Sequence, residues 1–199
     1  MGNIIREPIQ KRSIEKKEKI IKSGFELICN NGYYNTNTAQ IAKNAGVSTG
    51  IVYQYFKDKH DILVEGIKLY GDSIFFPVIY IPKNIIEKDE LKNILKNIIV
   101  LFKKNHKLSK IAHEEITSMI HSDEEIASLY YESELKITEK LTQIFINSGF
   151  NTDNLVEKAH IILHLIDDLC HEIIYHNHDN MNYDKMTDII INTITKILK

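Results

Sequence analysis

The sequence has no tryptophan, only three prolines, eight glycines and two cysteines in 199 residues. Pro and Gly this scarce, with 43% hydrophobic residues, predict a packed chain with little long disorder. Cys29 and Cys170 each sit inside an apolar helical pattern and form no CxxC pair. A disulfide framework is therefore not expected, and both thiols should be reduced and buried. No apolar run reaches the roughly 18 residues of a membrane span. The N-terminus has no signal-peptide core, so the cytoplasm is the expected compartment. Also lacking are an HExxH pair, a Gly-rich phosphate loop, a nucleophile elbow and clustered cysteines. No catalytic residue, metal ligand or cofactor is assigned from the sequence, and the chain is not expected to be an enzyme.

One charge sign is unevenly spread. Residues 1–60 hold 10 Lys and Arg against 5 Asp and Glu, while the remainder holds 15 against 22. A basic head on an acidic body predicts a polyanion partner for the head alone. The overall pI near 6.5 conceals this.

The residues that are present converge on one stretch, Thr36 to Lys59. Asn37 is suited to N-cap a helix, with Gln40 three residues on as its capping-box partner. Ile41, Ala42 and Ala45 form an apolar stripe at helical spacing, and Gly46 stands where a left-handed residue ends the helix. Val47 can plug the turn and Ser48 can cap a second helix. That helix should turn Ile51 or Val52 and Phe56 inward, with Thr49, Gly50, Tyr53, Gln54 and Tyr55 outside. Two short helices joined through a central glycine make a helix-turn-helix, the DNA-reading unit. Ser13 opens a supporting helix with Ile21, Phe25 and Ile28 on its buried face, flanked by Ile20, Gly24 and Leu27; Gly32 ends it.

Gly32-Tyr33, Ile41-Ala42, Ala45-Gly46-Val47-Ser48, Gly50, Tyr53, Phe56-Lys57 and Lys59 together resemble the N-terminal signature of TetR/AcrR-type bacterial transcriptional regulators. The resemblance covers about the first third of the chain without a gap. Asn37 replaces the Thr more usual there but keeps the capping chemistry, and His60 replaces the common Glu. The resemblance implies a homodimeric regulator, most often a repressor, that binds a palindromic operator and is released by a small-molecule effector. It also implies DNA-contact roles. Asn37, Ser48, Tyr53, Tyr55 and Lys59 carry groups suited to phosphates. Thr49 and Gln54 suit base edges, and Gly50 permits close approach to the groove.

Downstream the pattern is helical throughout. Asp58 should N-cap a helix carrying Ile62, Leu63, Ile67 and Tyr70; Lys59 at its start would meet a phosphate, aided by the helix dipole. Pro77 and Pro82 exclude a regular helix across 75–82, which is expected to be an apolar loop covering the body or, as the second reading, a flap over a ligand entrance. Helices follow over about 88–104 and 108–121. Ser122-Asp-Glu-Glu125 reads as a capping box for a helix to about Asn147, and Thr152 as the cap of another to about His176. Asp184 should start the last helix, with Met186, Ile190, Ile194 and Ile197 on one side. The expected fold is all-α, about nine helices. Residues 1–11 form a flexible basic arm, 12–57 the helix-turn-helix domain and 58–199 a helical-bundle domain for effector binding and dimerisation. The stretch from Leu155 to Tyr175 is apolar over more than one stripe, which calls for an intersubunit contact.

His160, His164, Asp167 and His171 recur at i, i+4, i+7 and i+11 along that helix. Such a line reads first as a polar stripe facing solvent or a dimer seam, next as a pocket wall, and last as ligands for Zn²⁺ or Ni²⁺. It keeps open a second reading, a metal-binding protein or metal-dependent enzyme on a helical bundle. A third is a constitutive DNA-binding protein without effector. Phe75, Tyr80, Phe102, Met119, Tyr130 and Phe145 can line a pocket or simply form core.

Overall fold

The computed structural model describes residues 11–76, 85–87, 89–105 and 108–199. Among them every regular element is a helix: α1 (Lys11–Asn31), α2 (Thr38–Ala45), α3 (Thr49–Tyr55), α4 (Lys59–Tyr70), α5 (Asp72–Phe75), α6 (Leu91–Asn105), α7 (Lys110–Ser122), α8 (Glu124–Asn147), α9 (Leu155–Tyr175) and α10 (Tyr183–Ile197). Setting aside the four-residue α5, this is the expected all-α chain. No described helix is long and apolar enough to cross a membrane. Most of the basic arm and most of the proline segment lie outside the described residues; Phe75 and Phe76, at its start, are buried.

Packing divides the chain into two compact units. The first takes residues up to Ile74 together with Lys107–Tyr131, and the second takes Phe75–His106 with Glu132–Lys199. α4 packs along α1, and α7 does so too, because both present apolar residues to a helix that is buried on more than one side.

In the first unit the core joins Ile20 and Ile21 of α1, Ile41, Ala42 and Ala45 of α2, Val52 and Tyr55 of α3, Phe56 and Ile62. Two glycines let helices approach closely. A Cβ on Gly24 would lie 2.5 Å from Ile62 Cγ2 and 3.2 Å from Ile41 Cδ1, and one on Gly66 would lie 2.4 Å from the Phe25 ring. Cys29 and Cys170 are both buried.

In the second unit α6, α9 and α10 pack on one another. The buried residues are Leu91, Leu95, Ile98, Ile99 and Phe102 from α6, Leu155, Ala159, Ile162, Leu163, Ile166 and Leu169 from α9, and Ile191, Ile194 and Leu198 from α10. The expected α10 face is rotated by this packing. Met186, Ile190 and Ile197 are only half-buried, and Ile189 is 63% exposed.

Helix ends follow local chemistry, with two corrections. Asp123, not Ser122, caps α8: its carboxylate accepts from the backbone N–H groups of Glu125 and Ile126, both at 3.1 Å. Ser122 ends α7 instead and donates its hydroxyl to Ser118 O. Asp123 stands just outside the helix, where Oδ1 meets both first-turn N–H groups, whereas Ser122 is still in the last turn of α7. α9 starts at Leu155 behind Asn154, which adopts φ 51, rather than being capped by Thr152. α10 is capped by Asn182, whose side chain accepts from Lys185 N at 2.9 Å.

The close approach at Gly24 gives a direct test. Gly24→Val must separate α1 from α4 or strain Ile62, and overpacking of this kind costs about 1–3 kcal/mol. Chemical denaturation should show a loss in that range, with Gly149→Ala, whose Cβ meets nothing within 4 Å, affected only through its left-handed backbone.

Candidate nucleic-acid interface

The helix-turn-helix is assembled as its residues dictate. The Asn37 side chain accepts from Gln40 N at 2.9 Å and Gln40 Oε1 accepts from Asn37 N at 2.9 Å, a complete capping box on α2. Gly46 ends the helix at φ 67, and its N–H and that of Val47 satisfy the last carbonyls of α2. Ser48 stands at the N-cap of α3, but its hydroxyl makes no capping bond. That hydroxyl is exposed, beside Thr49 and Gly50, at the end of the helix where N–H groups point outward.

One exposed surface therefore carries Asn37, Ser48, Thr49, Gly50, Tyr53 and Gln54. Tyr53 is 42% exposed, and its hydroxyl lies 2.9 Å from Thr38 Oγ1, which ties α3 to the start of α2. Thr38 was not singled out from the sequence. Its role depends on a contact across 15 residues, which helical periodicity does not encode. Gly50 faces open space, for an added Cβ would come no closer than 3.9 Å to Ser48 Oγ. Its lack of a side chain is thus not required by the fold.

Two expected contacts are redirected. Tyr55 is not outside: it is 8% exposed within the core, and its hydroxyl lies 2.6 Å from Ser13 Oγ of α1. The seven-residue α3 puts 52, 55 and 56 on the side facing α1 and α4, so 55 follows Val52 inward. Lys59 also points into the protein. Its Nζ donates to Tyr33 O at 2.6 Å and Thr36 O at 2.9 Å, and stands 4.1 Å from the Tyr33 ring centroid. Burial pushes its ammonium below the ordinary lysine range, an effect opposed by the carboxylates of Glu115 and Asp58. Lys57, by contrast, is exposed next to α3, and so are Lys43, Lys16, Lys19 and Lys22.

Lys59 belongs to a clamp on the turn between α1 and α2. Glu115 of α7 accepts from the backbone N–H groups of Tyr33 and Tyr34, the latter at 3.2 Å. Ser109 N donates to Cys29 O at 2.8 Å. Gly32 adopts φ 91, and a Cβ there would lie 2.7 Å from Glu115 Oε2. Glycine is required twice at this position, by conformation and by proximity. His60 Nε2 lies 2.7 Å from Asp123 Oδ2, joining the start of α4 to the cap of α8. Backbone N–H of Ile126 and the His60 ring outweigh burial and hold the Asp123 carboxyl below its ordinary range.

The histidine line divides. His171 Nδ1 lies 3.2 Å from Asp167 Oδ2 on the same helix, whereas His164 Nε2 lies 2.9 Å from Glu134 Oε1 of α8 and His160 Nδ1 lies 3.0 Å from Thr138 Oγ1. Of the aromatic and apolar pocket candidates, Phe75, Phe102, Met119 and Phe145 are buried core, Tyr130 is half-buried, and Tyr80 lies outside the described residues.

The surface has counterparts among known proteins. Residues 20–65 match the family described as bacterial regulatory proteins, tetR family. The chain is 48% identical over 59 residues to the HTH-type transcriptional regulator HbdR of an Aromatoleum species, covering 30% of this chain and 26% of that protein. It is 44% identical over 54 residues to the fatty acid metabolism regulator protein of Bacillus subtilis, covering 27% and 28%. The matched segment thus spans about a quarter of these relatives' length. The fold likeness is wider. A TetR transcription regulator from Haloarcula marismortui superposes with TM-score 0.68 at 16% identity over 93% of this chain and 97% of that one. A Saccharomonospora viridis chain solved in complex with choline gives TM-score 0.67 at 18% identity, over 91% and 96%.

The inward course of Lys59 predicts distinct behaviour for two neighbouring lysines. Lys59→Met removes charge-assisted bonds to two carbonyls and should cost about 1–3 kcal/mol of stability in urea unfolding. Lys57→Met should leave the unfolding midpoint nearly unchanged.

Proposed function

Taking a chain with a TetR-type head and fold as the premise, we propose that this protein is a transcription regulator that binds operator DNA as a homodimer. The observation that carries the proposal is the exposed surface formed by Asn37, Ser48, Thr49, Gly50, Tyr53 and Gln54 at the end of α3. It combines outward N–H groups, hydroxyls for phosphates and an amide for a base edge, with Lys57 and Lys43 beside it. Asn37, Ser48 and Tyr53 hold register on the phosphates, and Thr49 and Gln54 read bases. Tyr55 and Lys59 act indirectly, by seating α3 in the core and fixing the turn before α2.

One short recognition helix covers few base pairs, so two heads on a palindrome are needed for useful affinity. The half-buried Met186, Ile190 and Ile197 with exposed Ile189 on α10, and exposed Ile161 on α9, support a dimer surface on these helices. Repression relieved by a small-molecule effector completes the reading. The effector must favour one of two arrangements of the helical body, since equal affinity for both shifts nothing. Asp167 Oδ1 is buried and, among the described residues, accepts no hydrogen bond, a costly condition that a ligand donor would relieve.

Binding of the purified protein to its own upstream DNA tests the reading. Gln54→Ala should lose about 1–3 kcal/mol of discrimination at the base it reads. Tyr53→Phe, which keeps the ring, should weaken binding to all sequences alike, and affinity should fall steeply with salt. Specific binding unaffected by either change would overturn the assignment of α3. For the dimer, Ile189→Asp should shift the sedimenting species towards monomer without loss of helical signal.

A further inference from the structure

We propose that Glu134, His160 and His164 form a binding site for one borderline divalent transition-metal ion, Zn²⁺ or a neighbour such as Co²⁺ or Ni²⁺. The site is independent of the DNA-reading surface, and Glu134 has no place in the histidine line of the sequence. Glu134 comes from α8, and the two histidines are one turn apart on α9.

The donor atoms of these three residues all lie within 4.8 Å of one another, and His164 Nε2 is already 2.9 Å from Glu134 Oε1. Tetrahedral Zn²⁺ with bonds of about 2.0–2.1 Å places its donors about 3.4 Å apart. Side-chain rotations of an ångström or less therefore close the set. The Glu134 side chain is 12% exposed and that of His164 36%, so the donors are sheltered but reachable from solvent. The two rings stand edge to face with centroids 4.7 Å apart.

The second argument concerns the proton on His160. Thr138 has one hydroxyl hydrogen, and Thr138 Oγ1 donates it to Glu134 O at 2.9 Å. The hydroxyl oxygen must then accept from His160 Nδ1, 3.0 Å away. That fixes the tautomer with hydrogen on Nδ1 and the lone pair on Nε2, the atom a metal takes. Outer hydrogen bonds of this kind orient metal-binding imidazoles and raise their basicity. Two imidazoles and a carboxylate suit a borderline cation better than a hard one such as Mg²⁺.

The other cluster of similar composition, Asp58, His60 and Asp61, does not compare. Asp58 is occupied in capping α4, and His60 Nε2 in the bond to Asp123. His171 and Asp167 pair with each other and stay outside the set.

The test uses tag-free full-length protein, stripped with chelator and titrated with Co²⁺ while visible absorption is followed, with equilibrium dialysis for stoichiometry. One Co²⁺ per chain is expected, displaced by Zn²⁺, with Zn²⁺ raising the thermal midpoint of the wild type. Glu134→Gln, which keeps the shape, and His164→Ala should each lose at least about tenfold in affinity, and Thr138→Val about tenfold through the His160 tautomer. His171→Ala should bind as the wild type does. Two results overturn the proposal: a folded wild type that takes up no Co²⁺ at micromolar concentration, or uptake that survives unchanged in Glu134→Gln and His164→Ala.

Discussion

The head of this protein depends on how the turn between α1 and α2 is held. Five residues, Gly32 to Thr36, leave the helical path, and their backbone groups need partners wherever water is excluded. Lys59 satisfies the carbonyls of Tyr33 and Thr36, Glu115 satisfies the amides of Tyr33 and Tyr34, and Thr36 Oγ1 donates to Gly32 O. The cation and the carboxylate act on the same two or three peptide units, with the Tyr33 ring beneath the ammonium. α2 leaves this turn, and α3 leaves α2 after only Gly46 to Ser48. An error in the first angle would be carried directly into the position of α3.

That arrangement gives α7 a part in the first unit that its sequence does not announce. α7 contributes Glu115, the loop before it binds Cys29 O, and Asp123 after it binds His60. Polar contacts at both ends of one helix thus reach the turn before α2 and the start of α4. The apolar core then fixes α3 through Val52, Tyr55 and Phe56. The surface left over is polar, with Asn37, Ser48, Thr49, Tyr53 and Gln54 exposed.

The second unit works by a different balance. Its helices bury one apolar stripe among themselves, and α10 keeps another partly open in Met186, Ile189, Ile190 and Ile197. Polar side chains inside it are held locally, as Thr138 holds His160 and Glu134 meets His164. Such groups tie α8 to α9 at chosen points, where apolar packing alone would tolerate small shifts in register.

Much of the head was legible from local rules. Capping by Asn37 and Gln40, the left-handed Gly46 and Gly32, and Asp58 at the start of α4 involve partners a few residues apart. So do the buried stripes of α1 and α2. Backbone sterics and the helical repeat determine such features whatever the rest of the chain does. What the tertiary structure decided were matters of direction and long-range partnership. Lys59 turned from an expected phosphate to two carbonyls more than 20 residues away, and Tyr55 turned inward to Ser13. α10 rotated its buried face, and Glu134 met His164 of another helix. The contacts of Lys59, Tyr55, α10 and Glu134 each set one apolar or polar surface against another. A sequence read in windows of one or two turns does not contain the second surface.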